Sequence, residues 1–202
     1  HGPHLPLDTD TRIAVAVAHR AAADRGHLLA SAIAYGASGE HQGFPGTVSI
    51  GTAALRTVLV EYGRSACGWA GRLVFVNGHG GNTEALRDAV ALLRAEGRDA
   101  VWCSCFDDGG DAHAGHTETS LLLHLWPHLV HTDRCEPGNV APLPELMGRM
   151  RRGGVAAVSE TGVLGDPSTA SAAAGEQILA RMVADCAARI RRWTPDDGGM
   201  LR

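Results

Sequence analysis

The sequence predicts an α/β fold with a largely parallel sheet covered on both faces by helices. Three observations predict it. Helix and strand patterns alternate along the chain. Residues 73–76 (Leu-Val-Phe-Val) form a continuous apolar run, the mark of a buried parallel strand rather than a half-exposed one. That run enters a glycine-rich turn, Asn77-Gly78-His79-Gly80-Gly81-Asn82, and a helical pattern follows with Leu86, Ala89, Val90 and Leu93 on one face. His79 therefore stands at the carboxyl end of a strand, where open α/β sheets place their ligands. The glycines around it allow a close approach to the backbone.

Taken in order, residues 11–25 read as an amphipathic helix opened by Asp10 or Thr11 as its cap. Residues 28–35 read as a strand. The segment 36–51, rich in Gly and containing Pro and His, is too long for a simple connection and is a candidate substrate loop. Residues 53–69 are helical, with Leu55, Val58, Leu59 and Tyr62 on one side. After the turn at His79 a helix runs to about Glu96, and a strand covers 100–106. Asp107-Asp108-Gly109-Gly110-Asp111 is a turn-rich loop, and 117–126 is helical until Pro127 stops it. Residues 132–154 read as irregular structure or a short helix, and 155–158 as a last short strand. Gly165-Asp166-Pro167 has the aspartate-before-proline form of a helix entry. The stripe Leu179, Met182, Val183, Cys186, Ile190 and Trp193 then marks a core-facing helix. With no repeat and no linker, residues 1–202 are expected to form a single domain, burying roughly 70% of the unfolded surface. Residues 195–202 are expected to be a loose tail.

Composition narrows the function. The net charge of −4 is spread without acidic or basic blocks, so neither nucleic acid nor a membrane surface is expected as a partner. All 18 basic residues are arginine. The lack of lysine excludes lysine Schiff-base chemistry and a phosphate loop needing Gly-Lys-Ser/Thr. No apolar run approaches the roughly 18 residues of a membrane span. Cysteines 67, 103, 105, 135 and 186 are odd in number and lack C-x-x-C spacing, as expected of reduced thiols in a cytoplasmic protein. Cys103 and Cys105 would share one strand face and suit core packing. The chain starts at His1 without a methionine, so it is expected to begin inside a longer polypeptide; a cloning remnant is the alternative.

Eleven histidines stand against three Phe and two Tyr, which invites a metal hypothesis. The ligand-type residues lie in loops: His1 and His4 with Asp8 and Asp10, His79, and Asp111 and His113 with His116 and Glu118. Loops that follow parallel strands converge on one sheet edge. Histidines and carboxylates without thiolates suit Zn, Mn or Fe(II). Such ions lower the pKa of bound water to about 7, which makes amide hydrolysis the natural reaction. Each residue also has a plainer reading. Asp10 caps a helix, His79 shapes a turn, and Glu118 complements a helix dipole. His19, His27, His41, His124, His128 and His131 read as surface or packing residues. A nucleotide-binding module is disfavoured, because Thr83 stands where the third glycine after Gly78-x-Gly80 belongs.

At these residues the chain resembles the creatininase family. The segments His1-Gly2-Pro3-His4-Leu5-Pro6-Leu7-x-Thr9-Asp10, Asn77-Gly78-His79-Gly80-Gly81-Asn82 and His113-Ala114-Gly115-x-x-Glu118-Thr119-Ser120 are similar in order and content to its signatures. Gly162-Val163-x-Gly165-Asp166-Pro167 resembles a fourth. The resemblance implies a three-layer α/β/α sandwich with a mainly parallel sheet, a homo-oligomer, and two divalent metal ions (Fe(II), Zn or Mn) that hydrolyse C–N amide bonds. Carried over by position, His1 binds one metal, Asp10 bridges both, and His79 binds the other with Glu118 as its carboxylate. His113 is then the metal-free general acid, and the Gly78, Gly80 and Gly81 turn faces the substrate oxyanion. Family members also carry a glutamate two residues before the first histidine, a position upstream of His1.

Two departures bear on substrate. Creatinine-hydrolysing members have a metal-binding glutamate where this chain has Gly81, and a gating tryptophan where it has Gly109. Creatinine is therefore not the expected substrate. The compact length and residues 154–167 look most like the branch that cleaves a modified precursor peptide. A small cyclic or formyl amide is the alternative substrate, and a metal-bound scaffold without turnover the non-enzymatic one.

Overall fold

The computed structural model describes residues 1–23 and 26–202. They divide into two compact units. Unit 1 comprises His1–Ile13, Gly39–Val48 and Phe106–Met182, and unit 2 comprises Ala14–Ser38, Ser49–Cys105 and Val183–Arg202. The architecture is helical with a small parallel sheet, within the expected α/β class.

Unit 2 holds the sheet. Strands β1 (Leu73–Asn77) and β2 (Ala100–Ser104) pair in parallel, with Leu73 opposite Ala100 and Asn77 opposite Ser104. The crossover between them is helix α3 (Thr83–Ala95), preceded by a tight turn at Gly80–Asn82. Helix α2 (Gly51–Ala66) packs on α3 so closely that a Cβ on Gly63 would lie 2.3 Å from Leu93 Cδ1. Leu55, Leu59, Val60, Leu86, Val90 and Trp102 form the core there. Burying such side chains contributes about 1.5–3 kcal/mol each. Along β2, Ala100, Val101, Trp102 and Cys103 are all buried, as a parallel strand covered on both faces requires.

Unit 1 is built from helices and turns. Helix α4 (His116–Leu125) is ended before Pro127, as expected. Helix α5 (Leu143–Gly153) lies within the segment read as irregular or shortly helical. Leu146, Val155, Val158 and Leu164 make a second cluster, with Phe44 and Met150 packed on it. Helices α1 (Thr9–Ala22) and α6 (Ala172–Arg192) each contribute residues to both units. Among the described residues, no helix is long and apolar enough to cross a membrane.

Four expectations need correction. Residues 28–35 form no strand: Leu28 is 82% exposed and Tyr35 59%, and among the described residues β1 pairs with β2 alone. An apolar run without a neighbouring strand cannot satisfy its backbone in a sheet. Residues 155–158 form a single 3-10 turn, Val155–Ala157. Gly154, at φ +67°, redirects the chain there, and the spacing of Val155 and Val158 matches that turn. The first helix starts two residues early, at Thr9, whose hydroxyl donates to the Pro6 carbonyl at 2.7 Å. It ends at Ala22, and the expected end at Arg25 lies outside the described residues. Residues 195–202 are not loose. Trp102 N donates to Gly199 O (3.0 Å), Leu201 N donates to Trp102 O (2.8 Å), and Leu201 is fully buried. The tail satisfies the free backbone edge of β2, which burial would otherwise leave unpaired.

Candidate metal centre and active site

The segment bearing His1 is fixed by its own sequence. Gly2 adopts φ +65°, and a Cβ there would meet Val163 Cγ2 at 2.7 Å and His4 Nδ1 at 2.9 Å. His4 is fully buried, its Nε2 lies 2.9 Å from Thr119 Oγ1, and its carbonyl accepts from His131 N at 2.9 Å. His4 is thus a tie between the N-terminal segment and α4 rather than a ligand. Burial lowers its pKa more than the neighbouring Ala114 carbonyl raises it.

The entry to α4 is equally specified. Asp111 accepts hydrogen bonds from the backbone N–H of His116 and from that of Thr117 (3.0 Å), which caps the helix. Gly115 must lack a side chain, because a Cβ there would overlap the Asp111 carboxylate. Asp111 therefore serves the backbone. His116 also turns elsewhere, its Nδ1 lying 2.8 Å from Thr169 Oγ1. The Glu118 carboxylate reaches back to accept from Ala114 N at 2.6 Å. The backbone of His113 is tied to Leu164 in both directions, at 3.2 and 2.8 Å.

These elements bring four expected site residues together in unit 1. His1 Nε2 is 2.9 Å from Asp10 Oδ1 and 3.9 Å from Glu118 Oε1. His113 Nδ1 is 4.0 Å from Glu118 Oε2. One donor atom each from His1, His113 and Glu118 falls within a span of 4.8 Å. An ion bound to N and O donors at about 2.0–2.2 Å holds neighbouring donors roughly 3–3.5 Å apart. The set needs only a small contraction to fit one. Electrostatics agree with the geometry. Burial, with Asp10 adding to it, pushes the Glu118 carboxyl up to about 7 against the pull of His1 and the Ala114 N–H. A half-buried carboxylate pair of this kind is stabilised by a nearby cation. His1 and the Asp10 and Glu118 carboxylates, with no thiolate, form a donor set suited to Zn, Mn or Fe(II), and His113 stands beside it.

His79, with Gly78, Gly80 and Gly81, belongs to unit 2. Asn77 holds the turn, its Nδ2 donating to His79 O at 2.8 Å and its Oδ1 accepting from His79 N at 3.3 Å. Asn82 ties the same turn to Ala37, whose N donates to Asn82 Oδ1 at 2.9 Å. The His79 Nε2 lies 3.3 Å from both Ser38 Oγ and Ala37 O.

One residue of the site was missed. His41, read from the sequence as surface or packing, stacks on His113 with ring centroids 4.5 Å apart. The only pointer to it was its place in the over-long loop 36–51.

Comparisons with known proteins follow the same lines. Residues 1–190 match the creatininase family, described as creatinine amidohydrolase. The mycofactocin precursor peptide peptidase of Mycolicibacterium smegmatis (strain ATCC 700084 / mc(2)155) is 67% identical over 207 residues, spanning 100% of this chain and 84% of that protein. Among solved structures, a mutant creatininase of Zn-Zn type superposes with a TM-score of 0.81 at 29% identity, over 97% of this chain and 87% of the other. The structure titled Creatininase Mn gives 0.80 at 29% identity, with the same coverage. The chain belongs to the creatininase family and is a hydrolase of that family.

Proposed function

We propose that this chain is a metal-dependent peptidase that releases the modified C-terminal Val-Tyr-derived unit from the mycofactocin precursor peptide. The gathering of His1, Asp10, His113 and Glu118 around one small volume carries the hydrolytic part of this reading. The substrate is suggested by the name of the 67%-identical relative. It also accords with Gly81 and Gly109 standing where creatinine-hydrolysing members carry a glutamate and a tryptophan.

In this reading His1, Asp10 and Glu118 would hold divalent metal (Fe(II), Zn or Mn), and His79 is the further ligand that the family resemblance implies. When bound, the ions act as Lewis acids and bring a water to a nucleophilic state near neutral pH. The chain's own groups do the rest. Backbone N–H groups of the turn at Gly78, Gly80 and Gly81 are the oxyanion donors that the family resemblance implies. His113 donates a proton to the departing amine as general acid, held by Leu164 at its backbone and facing Glu118 at 4.0 Å. The functional form in this reading is a cytoplasmic homo-oligomer.

The test is mass spectrometry of the modified precursor peptide after incubation with Fe(II)- or Zn-loaded protein. Release of the Val-Tyr-derived fragment, abolished by a chelator, is the expected outcome. An intact peptide alongside turnover of a small amide would transfer the site to the alternative substrate class.

A further inference from the structure

We infer that His41 is a positioning residue of the hydrolytic site, its imidazole setting the ring plane of His113. This rests on the reading of His113 as general acid. The observation behind it is the ring contact itself: centroids 4.5 Å apart with planes tilted by 37°. His113 makes a second contact of this kind with His1, at 4.5 Å and 42°. The His113 Nδ1 stands 4.0 Å from Glu118, an ion-pair separation and longer than a hydrogen bond. The ring contacts with His41 and His1 limit rotation of the His113 imidazole about its own axis. Proton delivery to a leaving group requires one ring nitrogen aimed within hydrogen-bond reach, so ring orientation bears directly on rate.

The loop that delivers His41 is built to hold it still. A Cβ on Gly154 would lie 2.6 Å from Glu40 O, so the backbone next to His41 is seated against a glycine at φ +67°. A Cβ on Gly43 would stand 3.1 Å from the Ala156 methyl. Phe44 N donates to His41 O at 3.0 Å, and the Phe44 ring packs on the cluster of Leu146, Val155, Val158 and Leu164. Behind the imidazole, Glu40 Oε1 lies 3.9 Å from His41 Nε2, and the His41 side chain is 16% exposed. A histidine on a backbone seated this way, mostly buried and stacked on the general acid, is part of the site's support, not a surface residue.

The experiment compares His41→Ala and His41→Phe in metal-loaded full-length protein, by steady-state kinetics, metal content and crystal structures. Removing the ring is expected to lower kcat about tenfold to hundredfold, the scale of an ångström of misplacement. KM and metal stoichiometry should stay unchanged. Phenylalanine, which restores a ring face without a nitrogen, should recover most of the rate. The crystal structures should show the His113 ring turned in His41→Ala and in place in His41→Phe. That readout decides the proposal even if the precursor peptide is not the substrate. An unmoved His113 ring in His41→Ala would overturn it, as would a Phe variant no better than Ala. Loss of metal from both variants would make His41 a ligand and overturn it too.

Discussion

Thr119→Val perturbs the molecule where folding and chemistry meet. The substitution nearly preserves side-chain volume and removes one hydroxyl. That hydroxyl lies 2.9 Å from His4 Nε2, and both residues are fully buried. Water cannot replace the lost partner without opening the packing, so the full desolvation cost of the imidazole nitrogen appears, about 1–3 kcal/mol. In a chain of this length each kcal/mol lowers Tm by about 2–4 °C. A loss in the middle of that range shifts the midpoint by about 4–8 °C. The same bond joins the segment carrying His1 to the helix carrying Glu118, so metal affinity should fall with stability. Thermal unfolding followed by circular dichroism, with metal content measured on the same samples, checks both. Thr119→Ser keeps the hydroxyl and should recover most of each. An unchanged midpoint in Thr119→Val, or a serine variant as weak as valine, would refute the reasoning.

Other predictions follow from the same geometry. His113→Ala should leave metal content intact while lowering turnover by roughly 10²–10⁴; metal loss, measured by elemental analysis, would make His113 a ligand. Gly175→Ala would set a Cβ 1.9 Å from the Ser120 carbonyl oxygen, backbone that cannot rotate away. Helices α4 and α6 must then separate, at about 1–3 kcal/mol in denaturant unfolding. Glu118→Gln should reduce metal occupancy yet remove a pH liability of the metal-free protein. The folded carboxyl is raised from 4.5 to about 7, so its contribution to stability falls as pH rises across that window. Metal-free wild type should lose stability relative to the Gln variant between those values, and a parallel pair of pH profiles would refute this. For His4 the sign reverses. Its folded pKa is lowered, so its contribution is present above about pH 6.5 and is lost as pH falls below that.

The parts of the fold legible in the sequence were those written locally. Residues 73–95 carry strand, turn and helix in one uninterrupted pattern, and β1, the turn at Gly80–Asn82 and α3 lie there. The stripe of α6 was legible for the same reason, with Leu179, Met182 and Cys186 buried. What failed depended on distant partners. Residues 28–35 are apolar enough for a strand, yet no hydropathy pattern tells whether a neighbour exists. The tail reads as turns because Pro195, Asp196, Gly198 and Gly199 are there, and it takes its order from pairing with Trp102 and from Asp196 Oδ1, which accepts from Gly198 N and Met200 N. In the site, His1, Asp10, His113 and Glu118 announced themselves by ligand type, although Asp10 and Glu118 stand in the first turns of α1 and α4 rather than in loops. His41 is chemically identical to the other five histidines assigned to surface or packing. Its distinction lies in a ring contact across 72 positions of sequence, which no local pattern encodes.

The opening turns of α4 have a consequence of another kind. Glu118, Thr119 and Ser120 are consecutive, and a helix rotates each by about 100° from the last. Glu118 faces His1, Thr119 holds His4, and Ser120 Oγ accepts from Ser171 N at 3.1 Å just ahead of α6. Three neighbouring positions thus face the ligands, the N-terminal segment and the C-terminal helix. Rotating this short stretch by even a fraction of a turn would disturb all three at once. On the proposed reading, metal uptake would therefore gauge whether unit 1 has folded correctly, and damage far from the proposed ligands should first be seen as reduced metal content.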